Sequence, residues 1–408
     1  VSLVDPAKLT GDAATACDDY VAAGGEIEPW AGELDAGAGL LVDGILGSGL
    51  EREVGGEFAR AVEAINAHAA PVLALDIPTG IHGDSGAVLG SAVRADLTIT
   101  FVGLKTGLFL GEAPDYCGEV CFAGLDIPAS YVAGIAPALR RVDDAMLAAA
   151  LPRRQRTGHK GDYGHVLIIG GGEGMPGAVR LAGEAALRTG SGLVSLATHP
   201  AHAAMLVASR PELMPHGVAS PADLEPLIER ADVVAFGPGL GRSEWAQALF
   251  DYVATLALPA VWDADALNLL ADRPAAMEQR VITPHPGEAA RLLGCTAAAV
   301  QADRPAALDA LAQRFGGTVV LKGAGSLVSA GPVPYLCMAG NPGMGSAGMG
   351  DVLTGIVASL IGQGVPVGDA AAVGVLVHAR AGDRAATLGE RGLVASDLLA
   401  ELRHVANP

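Results

Sequence analysis

Short β-branched runs alternate with Ala- and Leu-rich stretches along most of the chain, and this alternation restricts the fold more than any other feature. Most of these runs end at a Gly or Pro turn. Such alternation predicts a parallel α/β architecture. The predicted strands form two blocks, with residues 40–46, 72–77 and 97–102 in the first and residues 166–169, 193–197, 233–236, 260–263, 281–283 and 318–321 in the second.

Between the blocks, residues 142–159 combine a short helical stretch with the one dense basic run, Pro-Arg-Arg-Gln-Arg-Thr-Gly-His-Lys. We place the domain boundary here, which predicts domains over 1–145 and 146–408. The basic run has two interpretations, a solvated linker or a region that steers an anionic ligand. The first block is short, with three or four strands in about 140 residues.

Composition narrows the classes of partner. Half of the 408 residues are hydrophobic, which excludes a disordered chain. No run approaches the roughly 18 apolar residues of a spanning helix, so we expect no membrane partner. The net charge of −19 would repel nucleic acid, although Gly loops and helix ends still bind small phosphate ligands locally. Five scattered cysteines fit a reducing compartment, and we expect a cytoplasmic protein.

The strongest local signal is a Gly-rich loop, Asn341-Pro-Gly-Met-Gly-Ser-Ala-Gly-Met-Gly-Asp351, followed by a predicted helix. A Gly-rich loop at a helix N-terminus favours anions, because unpaired N–H groups and the helix dipole both attract negative charge. Asp351 has two interpretations. In the first, it is a structural residue whose charge the helix dipole stabilises. In the second, it serves as a base that takes a proton from a hydroxyl attacking bound phosphate.

Three further segments follow predicted strands, where open α/β sheets bind ligands. They are Gly237-Pro-Gly239-Leu-Gly241, Thr283-Pro-His285-Pro-Gly-Glu288 and Lys322-Gly-Ala-Gly-Ser326. His285 is either a ligand contact or part of a plain turn, and Lys322 either meets phosphates or is simply solvated. Asp263 and Asp265 are candidates for contact with Mg²⁺ or a ribose.

Residues 172–177 match the dinucleotide fingerprint Gly-x-Gly-x-x-Gly. That site also needs an acidic residue at the end of the next strand, and this strand ends Ala197-Thr-His-Pro. We therefore interpret the match as a Gly-rich turn that leads into a helix over 178–187.

Together with Lys160-Gly-Asp-Tyr-Gly-His and Val320-Leu-Lys-Gly, these segments resemble, in order, the dehydratase half of the bifunctional NAD(P)H-hydrate repair enzymes, over about residues 150–405. The resemblance implies a ribokinase-like fold. It also implies ADP-dependent dehydration of the (6S) hydrate of NADH or NADPH with Mg²⁺, in which Asp351 is the catalytic base. The implied nucleotide contacts are Lys322, Gly323, Ala324, Gly325, Ser326 and Gly350, and the implied hydrate contacts are Ala178, Gly239, His285 and Asp351.

The first block resembles the Rossmann-like epimerase half of the same family, on Val42-Asp43-Gly-Ile-Leu-Gly47, Leu75-Asp76-Ile-Pro-Thr79-Gly and Lys105-Thr-Gly. The implied residues are Asp43 and Thr79 as K⁺ ligands, Asp76 as a substrate contact or catalytic group, and Gly47, Ser48, Gly49, Leu50, Glu51 and Arg52 as a substrate loop. The family's opening helix and strand and its Asn-Asn-Gly-Gly-Asp-Gly loop are absent. We therefore expect an N-terminally truncated, partial domain without epimerase activity beside an intact dehydratase.

Two other functions fit part of the pattern. A ribokinase-like small-molecule kinase, such as a vitamin-precursor kinase, shares the Gly-rich loop and Asp351 but does not predict the first block. A non-catalytic binding module would keep its function when Asp351 is replaced. The family precedent also suggests a homo-oligomer.

Overall fold

A computed structural model describes residues 1–408, apart from the side chain of Ala129. The chain divides into two compact units, Val1–Ala136 and Pro137–Pro408. The division lies a few residues before the predicted boundary at 145/146, because the two-residue strand Arg140–Arg141 already belongs to the sheet of the second unit. A strand of two arginines carries no apolar alternation that a sequence pattern could reveal.

The first unit contains a four-stranded parallel sheet in the order β1-β2-β3-β4. Its elements are α1 Asp12–Ala22, β1 Leu41–Asp43, α2 Gly56–Ala67, β2 Val72–Leu75, β3 Leu97–Phe101, β4 Glu119–Ala123 and α3 Ala129–Val132. The three predicted strands are confirmed but shorter. The chain leaves β1 at Gly44 and β2 before Pro78, where turn residues replace the apolar run.

The second unit is built on a ten-stranded sheet in the order β5-β14-β13-β12-β11-β10-β9-β6-β7-β8. Its strands are β5 Arg140–Arg141, β6 His165–Ile169, β7 Leu193–Thr198, β8 Met214–Gly217, β9 Val233–Phe236, β10 Ala260–Trp262, β11 Arg280–Ile282, β12 Thr318–Leu321, β13 Ser326–Val328 and β14 Tyr335–Cys337. Its helices are α4 Asp144–Ala150, α5 Pro176–Thr189, α6 Ala203–Ser209, α7 Glu225–Ile228, α8 Glu244–Val253, α9 Asp265–Asp272, α10 Pro286–Leu293, α11 Ala297–Ala302, α12 Arg304–Phe315, α13 Met349–Gly362, α14 Val367–Ala385 and α15 Ala395–Val405.

The six strands predicted for this unit are confirmed as β6, β7, β9, β10, β11 and β12, and they are parallel to one another, as predicted. The sequence did not reveal β8, β13, β14 or β5. β13 and β14 have three residues each and run antiparallel to their neighbours β12 and β13. β8 contains Pro215 and lies at the sheet edge, where a missing N–H donor is tolerated.

Helix α13, the helix predicted after the Gly-rich loop, packs on the sheet with almost every side chain buried. Gly355 allows its close contact with α5, since a Cβ there would lie 2.0 Å from the carbonyl oxygen of Ala182. The small side chains of the many Ala residues in the core allow the helices to pack this closely. Gly350, at the N-terminus of α13, lies beside Asp263 after β10 and Lys322 after β12. None of the helices in the part of the chain that the structure describes combines the length and the hydropathy of a membrane span.

Candidate active site

Lys322 lies at the centre of the site, directly after β12. Its Nζ is 2.8 Å from Oδ1 of Asp263 and 3.8 Å from Oε2 of Glu288. Burial alone would lower the pKa of Lys322, but the two carboxylates outweigh it and the pKa is raised. The site therefore holds a fixed positive charge at the carboxyl edge of the sheet, among carboxylates that outnumber it.

Asp263 follows β10 and is 2% exposed. Burial favours its neutral form, but Lys322 outweighs that effect, so the pKa of Asp263 is lowered and the pair is ionised. Its Oδ2 accepts a hydrogen bond from Thr354 Oγ1 at 3.1 Å. Asp265 accepts from Gly241 N at 2.8 Å. Both predicted candidates for Mg²⁺ or ribose contact are thus already engaged with protein groups in this structure.

Asp351 is the third residue of α13, as the sequence predicts. Burial, together with the negative charge of Asp263, raises the pKa of Asp351 to about 7, and Lys322 only partly opposes this. Gly350 permits the arrangement, because a Cβ there would lie 3.0 Å from Oδ2 of Asp263 and 3.1 Å from Nζ of Lys322. A carboxyl group that titrates near neutral pH is suited to accept a proton.

Ala178 and Gly239 are also brought together. Gly172 N donates to Gly239 O at 2.7 Å and Gly171 N donates to Pro238 O at 2.9 Å, which joins the loop after β6 to the loop after β9. A Cβ on Gly239 would lie 3.0 Å from Cβ of Ala178. The fingerprint-like glycines therefore form a turn packed against a second Gly-rich loop, as predicted, at the same sheet edge as Lys322.

His285 occupies the N-cap of α10. Its Nδ1 accepts from Gly287 N at 3.0 Å, and Glu288 accepts from His285 N at 2.8 Å, forming a capping box. Burial and the nearby Lys322 lower the pKa of His285. Because Nδ1 is an acceptor, the neutral ring carries its proton on Nε2. Nε2 lies 3.5 Å from Oε1 of Glu288, and the side chain is 52% exposed, so a ligand can reach the ring.

The 322–326 loop turns back on itself through Ser326. Ser326 Oγ donates to Gly323 O at 3.0 Å and accepts from Gly323 N at 3.3 Å. Within the described chain, the N–H groups of Ala324 and Gly325 donate to no protein group. Two consecutive free amides, in a loop that begins at Lys322, form a suitable cradle for phosphate oxygens.

Sequence reasoning missed four residues that support the site, namely Thr354, Arg304, His378 and Asp383. Burial lowers the pKa of His378 to about 4, and its Nε2 is buried without a hydrogen-bond partner in the described chain. Asp383 accepts from Gly340 N and from Asn341 Nδ2, both at 3.0 Å, and so anchors the start of the Gly-rich loop. His378 and Asp383 both lie on α14, among other charged residues, and no sequence motif distinguishes them.

The basic run around Arg154 lies away from this site. Arg154 donates to Gly190 O and to Gln363 Oε1, and its guanidinium stacks on Tyr163. Gln363 caps the C-terminus of α13, roughly 18 Å along the helix from Asp351. For Arg154, the linker interpretation therefore fits the structure better than the ligand-steering one.

In the first unit, Asp43 and Thr79 are in direct contact. Thr79 Oγ1 and N donate to the two oxygens of Asp43 at 2.7 and 2.8 Å. Asp43 is 1% exposed, and its burial raises the pKa despite the hydrogen bonds from Thr79. A buried carboxylate bonded only to neutral donors has an unmet electrostatic preference for a cation.

Asp76 follows β2 with φ of 68°, a left-handed conformation that is unfavourable for a non-Gly residue and is concentrated at functional sites. Burial opposes its ionisation, but the hydrogen bond and charge of Lys105 outweigh this and lower the pKa of Asp76. In the predicted 47–52 loop, the side chain of Leu50 is buried in the core, whereas Glu51 and Arg52 are exposed. Leu50 thus anchors the loop, and any substrate contact by it would use its backbone.

Comparison with known proteins gave matches over both units. The profile of NAD(P)H-hydrate dehydratase matches residues 166–404, and that of the YjeF-related protein N-terminus matches residues 1–107. Bifunctional NAD(P)H-hydrate repair enzymes named Nnr, from Coxiella burnetii and Escherichia coli, are 47% and 45% identical. Each match covers 98% of this chain, and 83% and 78% of those proteins respectively.

Solved structures resemble the second unit. The ADP/ATP-dependent NAD(P)H-hydrate dehydratase of Bacillus subtilis, co-crystallised with ATP/Mg²⁺, is 29% identical with a TM-score of 0.59, covering 66% of this chain and 98% of that one. A ribokinase-like superfamily protein of Enterococcus faecalis is 27% identical with a TM-score of 0.62, covering 66% and 96%. These matches confirm the predicted ribokinase-like fold of the second unit.

Proposed function

Because the chain belongs to the family of bifunctional NAD(P)H-hydrate repair enzymes, we propose that its second unit dehydrates the (6S) hydrate of NADH or NADPH with ADP as co-substrate, releasing AMP and phosphate. The observation that carries this proposal is the position of Asp351 at a helix N-terminus beside the buried Lys322, where burial raises the pKa of Asp351 to about 7. The site thus combines a proton acceptor with a group that attracts phosphate.

The nucleotide binds through its phosphates in this proposal. Lys322 provides the charge, and the free amides of Ala324 and Gly325 provide directed donors. Gly350 leaves room for the phosphates at the start of α13, where the helix dipole favours negative charge. Gly323 and Ser326 complete the loop by closing its turn.

The hydrate binds on the other side of Asp351, against Ala178, Gly239 and His285. Asp351 takes the proton of the hydrate's ring hydroxyl, whose oxygen attacks the terminal phosphorus of ADP, and AMP leaves. Phosphate, a better leaving group than water, then departs from the ring carbon as the ring nitrogen donates electrons. The neighbouring ring carbon loses a proton, which restores the double bond of the dihydronicotinamide.

Magnesium fits the charge of this site. The carboxylates of Asp263, Glu288 and Asp351 outnumber the one ammonium group of Lys322, which leaves an excess of negative charge around the proposed phosphate position. Bound Mg²⁺ would offset the charge of the nucleotide phosphates. Asp351 is the carboxylate best able to face it, since Asp263 is engaged with Lys322 and Thr354.

For the first unit, we propose that Asp43 and Thr79 form a K⁺ site. Its basis is the buried Asp43 carboxylate, which is bonded to neutral donors alone. Asp76 and the 47–52 loop would contact substrate. Residues 1–408 contain no Asn-Asn-Gly-Gly-Asp-Gly loop to hold the substrate phosphates, and we propose that on their own they do not interconvert the R and S hydrates. Conversion of pure R hydrate to S hydrate would contradict this.

The test of the dehydratase is the recovery of absorbance at the reduced-nicotinamide band. Purified chain is mixed with (6S)-NADH hydrate and Mg²⁺, with ADP, ATP or no nucleotide. We expect recovery with ADP, none without nucleotide, and at least a thousandfold loss in Asp351→Asn. Asp369→Asn, an exposed residue of the same charge on α14, is the matched control and should retain full activity.

The other outcomes separate the alternatives. Recovery with ATP alone would keep the reaction and overturn the ADP assignment. A stable phosphorylated product without recovery of NADH would indicate a small-molecule kinase. Full activity of a folded Asp351→Asn variant would contradict the role of Asp351 as the base.

A further inference from the structure

Arg304 is a buried cation that the proposed chemistry does not use. It is the first residue of α12 and is 2% exposed. Burial lowers the pKa of Arg304 to about 10, so the guanidinium still carries its charge at neutral pH. A buried charge is costly unless its surroundings satisfy it, so the identity of its partners matters.

Those partners are mostly carbonyl oxygens of one loop. Nη2 donates to Leu321 O and to Gly325 O, each at 3.1 Å. Nη1 donates to Lys322 O at 3.4 Å and to the side-chain oxygen of Gln301 at 2.8 Å. All four acceptors are neutral, so no carboxylate among them cancels the positive charge.

These bonds fix the two ends of the 322–326 loop. The fork of the guanidinium joins the carbonyl before Lys322 to the carbonyl of Gly325, while Ser326 closes the turn onto Gly323. With these groups engaged, the amides of Ala324 and Gly325 are the ones left without a protein partner. The loop also approaches Arg304 closely, since a Cβ on Gly323 would lie 2.8 Å from Nη1.

We propose that Arg304 is a positioning residue that holds this loop in the conformation that binds the phosphates of ADP. It acts through the planar fork, which bridges several carbonyls at once, and through an uncancelled charge behind the loop in a protein of net charge −19. The inference rests on the proposed function of the second unit, because ADP is the ligand that the loop receives there.

Arg280 provides a matched control. It is also a fully buried arginine whose burial lowers the pKa to about 10, and it also donates to two backbone carbonyls, those of Ala275 and Phe315. It lies at the start of β11 and stacks on Trp262, and it makes no hydrogen bond to the 322–326 loop. Arg280→Lys therefore tests the loss of a buried guanidinium without the loss of loop contacts.

The experiment measures the dissociation constant of ADP by calorimetry, together with kcat and the KM for ADP, on the full chain. Arg304→Lys should raise the dissociation constant and KM about tenfold, because lysine cannot bridge the carbonyls, while kcat at saturating ADP stays within about twofold. Arg280→Lys should lower the melting temperature and leave ADP affinity unchanged. Equal effects of the two substitutions on ADP affinity would overturn the proposal.

Two further measurements keep the outcome decisive. If Arg304→Lys does not fold, Gln301→Ala, which removes one exposed partner of the guanidinium, should weaken ADP binding about threefold. An unchanged affinity in Gln301→Ala would then overturn the proposal. If the unaltered chain binds no ADP, the proposed co-substrate is wrong, and the same comparison made with ATP decides the role of Arg304.

Discussion

At the residue scale, the surroundings of Asp351 destabilise its ionised form, which is the form that would accept a proton. Its neighbours include Asp263, Asp265 and Glu288, and one ammonium group does not compensate three carboxylates. The same environment that raises its pKa makes it a better proton acceptor near neutral pH. Function and stability therefore make opposite demands on this carboxyl group.

The pH dependence of the reaction tests whether Asp351 serves as a base with a raised pKa. The base must be ionised to accept a proton, so kcat/KM for the hydrate should rise with pH through about 7 and level off above it. A steady-state profile from pH 5.5 to 9 with saturating ADP and Mg²⁺ measures this. A profile that is already flat from pH 5.5 to 7 would show that Asp351 has an ordinary pKa or is not the base.

The raised pKa of Asp351 also predicts that its ionisation lowers the free energy of unfolding. The pKa of Asp351 is about 7 when folded and near 3.8 when unfolded, so its stabilising contribution is complete below pH 3.8 and is lost as pH rises through 7. At pH 8 the ionised carboxylate should cost roughly 2–4 kcal/mol. Asp351→Asn should therefore stabilise the protein more at pH 8 than at pH 5, as measured by denaturant unfolding. An identical effect at both values would contradict this.

At the element scale, helix α14 anchors the beginning of the Gly-rich loop that precedes α13, although α14 contributes no predicted ligand contact. Asp383 fixes Gly340 and Asn341, and Asn341 Oδ1 in turn accepts from Gly343 N at 3.1 Å. This chain of hydrogen bonds passes from a buried helix into the Gly-rich loop. The many glycines of the Gly-rich loop allow it many conformations, and the hydrogen bonds to Asp383 of α14 restrict them.

Replacing Asp383 tests this dependence. In Asp383→Ala, two donors lose their acceptor, so we expect kcat/KM to fall about 10- to 100-fold and the free energy of unfolding to fall by about 1–3 kcal/mol. Asp369→Ala, in the exposed first turn of the same helix, should cost less than about 1 kcal/mol and leave kcat/KM unchanged. Comparable losses in both variants would assign the effect to α14 in general.

The elements that the sequence revealed are those whose signal is local. Apolar runs between turn residues located six strands of the second unit, and Gly-rich composition located Asp351 at a helix start. β13 and β14, of three residues each, could not be found from such runs. The supporting residues Arg304 and Thr354 could not be found from the sequence either, because their roles depend on which buried oxygen accepts their hydrogen bonds, and only the packed structure defines that.

At the scale of the whole molecule, the two compact units have separate sheets and separate clusters of candidate site residues. The Bacillus and Enterococcus structures match about two thirds of this chain and nearly all of their own length. An arrangement equivalent to the second unit therefore occurs as a whole chain in other organisms.

The second unit should accordingly work by itself. Residues 137–408 expressed alone should fold cooperatively and retain kcat and KM for the hydrate within about threefold of the full chain, because every proposed dehydratase residue lies within them. Thermal unfolding followed by the absorbance assay measures both properties. An unfolded or inactive fragment would show that the first unit is needed to stabilise the second.

The position of Asp351 on α13 has a consequence for synthesis of the chain. The ribosome completes the six inner parallel strands β6, β7, β9, β10, β11 and β12 and the 322–326 loop before it makes the Gly-rich loop and α13. A growing or prematurely ended chain can therefore present phosphate-binding groups without the base. In the proposed mechanism, a chain that ends before α13 would lack both Asp351 and Gly350, so it would carry only part of the nucleotide site and no base.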